Sequence, residues 1–260
     1  MVKFLSTLVT GLIAISSLSA NPLGLDTVGP VQAPGSDAQS QAYQAFSPTI
    51  NSYIGNVNAP FNPTNTGQTL VITDPTNLLQ SSAAEVRFYF VNNSAAFNNS
   101  LGISSNFTTN PGSAELIFAN ASVNASNPNP SDPNAPYAAL VNGNYVDLGV
   151  LAQGTPLNLF IASDAADGPV SGPDKGIFWN SIAQNSDGVD HMKMVQFIGT
   201  NYYLIGWEDL PLAYSDRDFN DIFVVVELVP VPEPATYLLM AVMAFIVVAA
   251  KRKKMAGAVR

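Results

Sequence analysis

The groups most able to do chemistry crowd into one stretch, Gly206-Trp207-Glu208-Asp209-Leu210-Pro211-Leu212-Ala213-Tyr214-Ser215-Asp216-Arg217-Asp218-Phe219-Asn220-Asp221. Six of these sixteen residues offer carboxylate or amide oxygens: Glu208, Asp209, Asp216, Asp218, Asn220 and Asp221. Hard oxygen donors in that number suit Ca2+, which takes roughly six to eight of them at about 2.3–2.6 Å. On a straight strand Asp216, Asp218 and Asn220 would spread over roughly 13 Å, too far to share an ion, so the segment must curl into a loop. The Asp-x-Asp-x-Asn spacing, with Glu227 at the twelfth place, has the look of an EF-hand. The sixth place, however, holds Asp221 where that loop needs Gly, and β-branched residues follow where it needs a helix. The reading that stands is a calcium loop at the edge of a β-sandwich. The competing reading is a solvated turn in which Arg217 neutralises one carboxylate and the Asn and Asp side chains cap their own backbone. Trp207 and Phe219 belong to the core on either reading.

Elsewhere the chain is poor in catalytic groups. His191 is its single histidine and it has no cysteine. His-rich zinc sites and cysteine nucleophiles are thereby excluded, and a Ser-His-Asp triad would have to use His191 without a Gly-x-Ser-x-Gly elbow. Paired carboxylates for glycoside hydrolysis are available by composition, yet the acids gather in one turn instead of facing each other across a cleft. The expectation is no enzyme activity and no catalytic residue.

The elements that must hold the acidic stretch are short β-type runs: Thr69 to Thr73, Glu85 to Val91, Glu115 to Ala119, Tyr145 to Leu151, Leu157 to Ala162, His191 to Ile198, Tyr202 to Trp207 and Ile222 to Val229. Val86, Phe88 and Phe90 alternate with Arg87 and Tyr89, the period-two pattern of a half-buried strand. Turn formers such as Asn142-Gly143, Asp167-Gly168-Pro169 and Asp187-Gly188 separate the runs, and Asn120 to Pro136 reads as a long polar loop. The fold class is therefore all-β, an antiparallel β-sandwich or jelly roll. No stretch between the termini carries a convincing amphipathic helix. Residues 21–66, rich in Pro, Gly, Asn, Ser and Gln, read as an irregular, low-complexity leader to a β domain over 67–229.

Both ends are hydrophobic. Lys3, the apolar stretch Phe4 to Ile15 and the small residues up to Ala20 predict a Sec-type signal peptide over residues 1–20. At the other end Ala235 to Ala250 is uncharged and runs into Lys251-Arg252-Lys253-Lys254. The basic tail then stays cytoplasmic and the domain lies outside. As a helix these sixteen residues span about 24 Å, marginal against a hydrocarbon core of roughly 30 Å, as suits a temporary anchor. Before this span stands Val231-Pro232-Glu233-Pro234-Ala235, which its prolines keep extended and legible to a peptidase. Pro-Glu-Pro, apolar span and basic cluster, in that order, resemble the PEP-CTERM sorting signal, the substrate tail of exosortases. The resemblance covers about 25 residues, from Val231 to the basic cluster, within a sorting segment over residues 230–260. It implies a bacterium with a Gram-negative envelope, transient anchoring in the inner membrane, cleavage by an exosortase, and delivery to the cell surface or exopolysaccharide matrix.

Between residues 21 and 231, 18 acidic residues face four basic ones, a net charge of −14. Such a domain repels phosphate backbones, which excludes nucleic acid as a partner, and invites divalent cations. Without cysteine an exported domain has no disulfides and relies on its core, with metal as a reinforcement. The acidic stretch also resembles a bacterial extracellular domain family of unknown function, marked by Glu-Asp-Leu, here 208–210, then Asp-Arg-Asp-Phe-Asn-Asp, here 216–221, and a final apolar strand. Gly154 to Phe160 and Asp187 to His191 look like its companion segments, so this resemblance covers roughly residues 80–229. The glycine-rich link usual between the two acidic motifs is here Pro211 to Ser215. Together these readings predict a non-catalytic exported matrix protein with a calcium-stabilised β domain. The alternative is a carbohydrate-binding module or adhesin that recognises exopolysaccharide.

Overall fold

A computed structural model describes residues 22–231 except 74–77, 80, 105–113, 123–138 and 168–169, and also residue 243. The expected signal peptide, the Pro232-Glu233-Pro234 motif and, apart from residue 243, the expected membrane helix lie outside the described residues. No helix among the described residues is long and apolar enough to cross a membrane.

Among the described residues ten strands form: β1 Thr69–Ile72, β2 Ala84–Asn92, β3 Ser100–Ser104, β4 Ala114–Phe118, β5 Tyr145–Leu151, β6 Asn158–Ala162, β7 Ile177–Trp179, β8 Met192–Phe197, β9 Tyr202–Trp207 and β10 Ile222–Pro230. All eight runs expected from the sequence are strands, with ends shifted by at most one residue. β3 and β7 were not expected. Ser-Leu-Gly-Ile-Ser carries only two large apolar residues, and Ile-Phe-Trp is too short to show a period. The glycine in β3 is a packing requirement, because a Cβ on Gly102 would sit 2.2 Å from the Phe160 ring.

Every strand pairing is antiparallel, in a six-stranded sheet ordered β1-β8-β9-β10-β2-β5 and a four-stranded sheet ordered β4-β3-β6-β7. The two sheets share one apolar core. Phe88, Phe90, Met194, Ile205, Val224 and Val226 come from the larger sheet, and Leu101, Ile117, Leu159, Ile161 and Phe178 from the smaller. This is the expected sandwich architecture, with side chains from both inner faces excluding water between them.

The larger sheet is buried on its other face too, against the expectation for β2. Tyr89 is fully buried and Arg87 only 7% exposed. The cover comes from the segment read as an irregular leader, where Ala38–Ile54 forms a helix, α1. Its apolar residues Tyr43, Phe46, Ile50 and Tyr53 recur at helical spacing. Tyr43 stacks on Tyr89 with ring centroids 4.0 Å apart, and Phe46 lies on Tyr202 at 5.0 Å and edge-on to Phe197 at 5.3 Å. Asp37 caps the helix by accepting from the Ser40 amide at 2.7 Å. The polar residues between the aromatics and the internal Pro48 hid this helix, since a mid-helix proline costs about 3 kcal/mol or more. Burial of the aromatic face against β2, β8 and β9 outweighs that cost.

Candidate metal centre

The acidic stretch is the connection from β9 to β10. Trp207, last in β9, pairs with Ile222, first in β10, so the two ends of the connection lie side by side. The Asp221 amide donates to the Trp207 carbonyl at 3.0 Å, and the Asp209 amide donates to Asp221 Oδ2 at 2.9 Å. Glu208, Asp209 and Asp221 are thereby gathered at one end of the sheet by strand register alone.

Asp216 and Asp218 reach the same place because the loop curls as the calcium reading requires. Arg217 and Phe219 both adopt left-handed backbone, with φ of 59° and 55°. For non-glycine residues this conformation costs on the order of 1 kcal/mol each. Local bonds hold the shape: Ser215 Oγ accepts from the Arg217 amide at 2.9 Å, and Asp218 Oδ1 accepts from the Asn220 amide at 3.2 Å. Tertiary contacts anchor it. The Phe61 amide donates to the Asp218 carbonyl at 2.6 Å, and the buried Phe219 ring lies under Lys193, 4.1 Å from Nζ. Gly206 in β9 makes room, since a Cβ there would meet the Phe219 carbonyl oxygen at 2.4 Å.

Two trios of carboxylates result. Oxygens of Glu208, Asp216 and Asp218 all lie within 4.8 Å of one another, and so do oxygens of Glu208, Asp209 and Asp221. Asn220 sits beside them, but its amide donates to Asp218 and to the Ala59 carbonyl while its oxygen accepts from Ser94. Its observed contacts thus brace the loop. The carboxylates open onto a cavity of about 560 Å³ that Phe97, Leu210 and Tyr214 also line.

Electrostatically the site is short of positive charge. Among the described residues no ion pair reaches any of the five carboxylates, and Arg217 makes none. Glu208 is 1% exposed, and neither of its buried oxygens has a hydrogen-bond partner. The Ser215 hydroxyl and Leu210 amide approach it and favour its charge a little. Burial nevertheless pushes the Glu208 carboxyl up to about 7, with the Asp216 and Asp209 carboxylates adding to the rise. Burial also raises Asp209, although the Asn99 amide donates to it at 2.6 Å, and burial with the Asp209 charge raises Asp221 further. A buried anion with no partner is costly, and either a proton or a cation must supply the missing charge.

His191, the triad candidate, lies behind the loop and is 1% exposed, stacked on Phe178 at 3.8 Å. Its Nδ1 is 3.1 Å from the Glu208 carbonyl and its Nε2 3.0 Å from Asp187 Oδ2. Both partners are acceptors, so whichever ring nitrogen carries a proton has a place to donate it. Burial alone would raise the Asp187 carboxyl, but the Leu212 amide, donating at 2.9 Å, and His191 hold it below its ordinary range. The pair ties the β7–β8 connection to the acidic loop. Ser94, Asn99 and Ser163, which accompany the acids from distant strands, carry no local sequence signal, because only the tertiary fold brings them there.

Fold and site define a two-sheet antiparallel β domain with an acidic loop at one end of its central strands. Residues 142–229 match a family model described as a domain of unknown function (DUF4114), and residues 230–253 match the PEP-CTERM protein-sorting motif. The chain thus carries a PEP-CTERM sorting signal directly after its β domain. Such a signal implies exosortase-dependent sorting of an exported protein, from a membrane-anchored precursor to surface or extracellular display. No curated protein and no solved structure matches the chain.

Proposed function

We propose that the protein is a non-catalytic component of the cell surface or exopolysaccharide matrix whose β domain is stabilised by calcium in the β9–β10 loop. In this reading it is exported through Sec, held briefly in the inner membrane, and released by exosortase. One observation carries the calcium proposal: Glu208, buried with both oxygens unpartnered, stands where two sets of carboxylates meet. The donors are all hard oxygens on an irregular loop, which suits calcium's large and flexible coordination sphere. Softer metals find no sulfur here, and the one imidazole is engaged by Glu208 and Asp187.

Thermal unfolding with calcium and with excess chelator tests the proposal. A site filled at about 100 times its dissociation constant adds about 2.7 kcal/mol to stability. The expected result is a higher midpoint in calcium for the wild type and a smaller rise for Asp218→Ala, which loses one of the clustered carboxylates. Coincident wild-type curves in calcium and chelator would sink it. The open cavity, with Phe97 and the half-exposed Tyr214 beside the acids, favours a second reading in which a bound cation also bridges sugar hydroxyls. Glycan binding that disappears on chelation supports it.

A further inference from the structure

Building on the calcium reading, we infer that the β9–β10 loop holds two calcium ions bridged by Glu208. The five carboxylates fall into two trios, and Glu208 is the only member of both. Two oxygens bound to one calcium at about 2.5 Å lie at most about 5 Å apart, so a spread of 4.8 Å within each trio fits one ion per trio. Glu208 brings two oxygens, both buried and neither hydrogen-bonded, which is one for each ion. A carboxylate that bridges in this way sets two metals roughly 4 Å apart.

Charge favours two ions over one. Five carboxylates carry five negative charges at full ionisation, and no lysine or arginine among the described residues pairs with any of them. One calcium leaves three charges unbalanced in a largely buried place, whereas two leave one. The ligand sets also have separate structural origins. Asp209 and Asp221 are fixed by strand pairing and by the Asn99 amide, forming an inner site. Asp216 and Asp218 are fixed by the left-handed curl and form an outer site, with Asp216 exposed to solvent. The inner ion therefore binds tighter, because its ligands are held in place beforehand, and the outer ion keeps coordination positions open to water.

Calcium titration of the full-length chain in mild detergent, by calorimetry with equilibrium dialysis as a check, reads the stoichiometry directly. The wild type should bind two ions. The double variant Asp216→Asn, Asp218→Asn should bind one at the tighter affinity, Asp221→Asn should lose the tighter step, and Glu208→Gln should weaken both. Circular dichroism verifies that each variant is folded. A single ion on the wild type overturns the two-ion inference and leaves the calcium reading standing, whereas no binding at all overturns both. Loss of both ions in a folded outer-site double variant also overturns the two-ion arrangement.

Discussion

Among the described residues acids gather in two places, and the fold treats them in opposite ways. Around Arg87 every carboxylate has a partner. The guanidinium contacts Asp37 at 2.7 Å, Asp147 at 2.9 Å and Glu85 at 3.3 Å, and lies 5.0 Å from the Tyr145 ring. Glu227, 5% exposed, accepts from the Tyr89 hydroxyl at 2.8 Å and from the Gln39 amide at 3.0 Å. This network fastens the N-cap of α1 to the sheet. In the β9–β10 loop the same residue types cluster with no arginine and no tyrosine hydroxyl among their hydrogen-bond partners in the described residues, and the two carboxylate oxygens of Glu208 have no hydrogen bond. The fold can supply counter-charge where acids serve only to hold elements together. Where it does not, the shortage is the observation on which the calcium proposal rests.

This contrast breaks if either cluster behaves like the other. Arg87→Met should cost about 3 kcal/mol, the low end for a broken buried pair, since its partners' side chains are about a third exposed. Denaturant midpoints should fall by the same amount in calcium and in chelator. Glu208→Gln should split the two conditions: it removes an orphaned charge, so the chelated protein gains stability, while the calcium increment of about 2.7 kcal/mol shrinks. A variant less stable than wild type in chelator would mean that Glu208 is satisfied from within the protein.

Proton linkage sharpens the contrast. The Glu208 carboxyl titrates near 4.5 in the unfolded chain and at about 7 when folded. Between those values the metal-free native state binds more protons than the unfolded state, so its stability falls as pH rises. The midpoint in chelator should therefore be higher at pH 5 than at pH 8, and in saturating calcium, which needs ionised ligands, it should rise over the same interval. The smallest effect concerns Arg217, the cation nearest in sequence. Arg217→Gly should stabilise by under about 1 kcal/mol through relief of its left-handed backbone, and should leave the calcium increment intact. Loss of that increment would assign Arg217 a part in holding the loop.

Much of this was legible in the sequence, for identifiable reasons. Strands such as β2 and β10 announce themselves because aromatic and β-branched runs are bounded by turn formers. The acidic loop was visible as a concentration of oxygen donors, and its curl as a geometric necessity. How it curls was not visible: nothing marks Arg217 and Phe219 for positive φ, a conformation imposed by contacts from Phe61, Lys193 and the bare backbone of Gly206. α1 escaped notice because Pro48 and the intervening polar residues obscured an aromatic stripe whose partner strands lie far along the chain. Tyr89 likewise reads as half-buried until α1 is known to cover it.

β10 has one further consequence. It is hydrogen-bonded on both sides, to β9 and to β2, both antiparallel, and its exit is clasped by the Val231 amide donating to the Ala83 carbonyl at 2.9 Å. The sorting signal begins where this strand ends, so a load applied through the C-terminus is delivered along the axis of an interior strand. Two ladders of hydrogen bonds then resist it together in shear, where an edge strand would peel away bond by bond. At its other end the same strand follows directly on Asp221, so an ion seated there clamps the far end of the element that bears the pull.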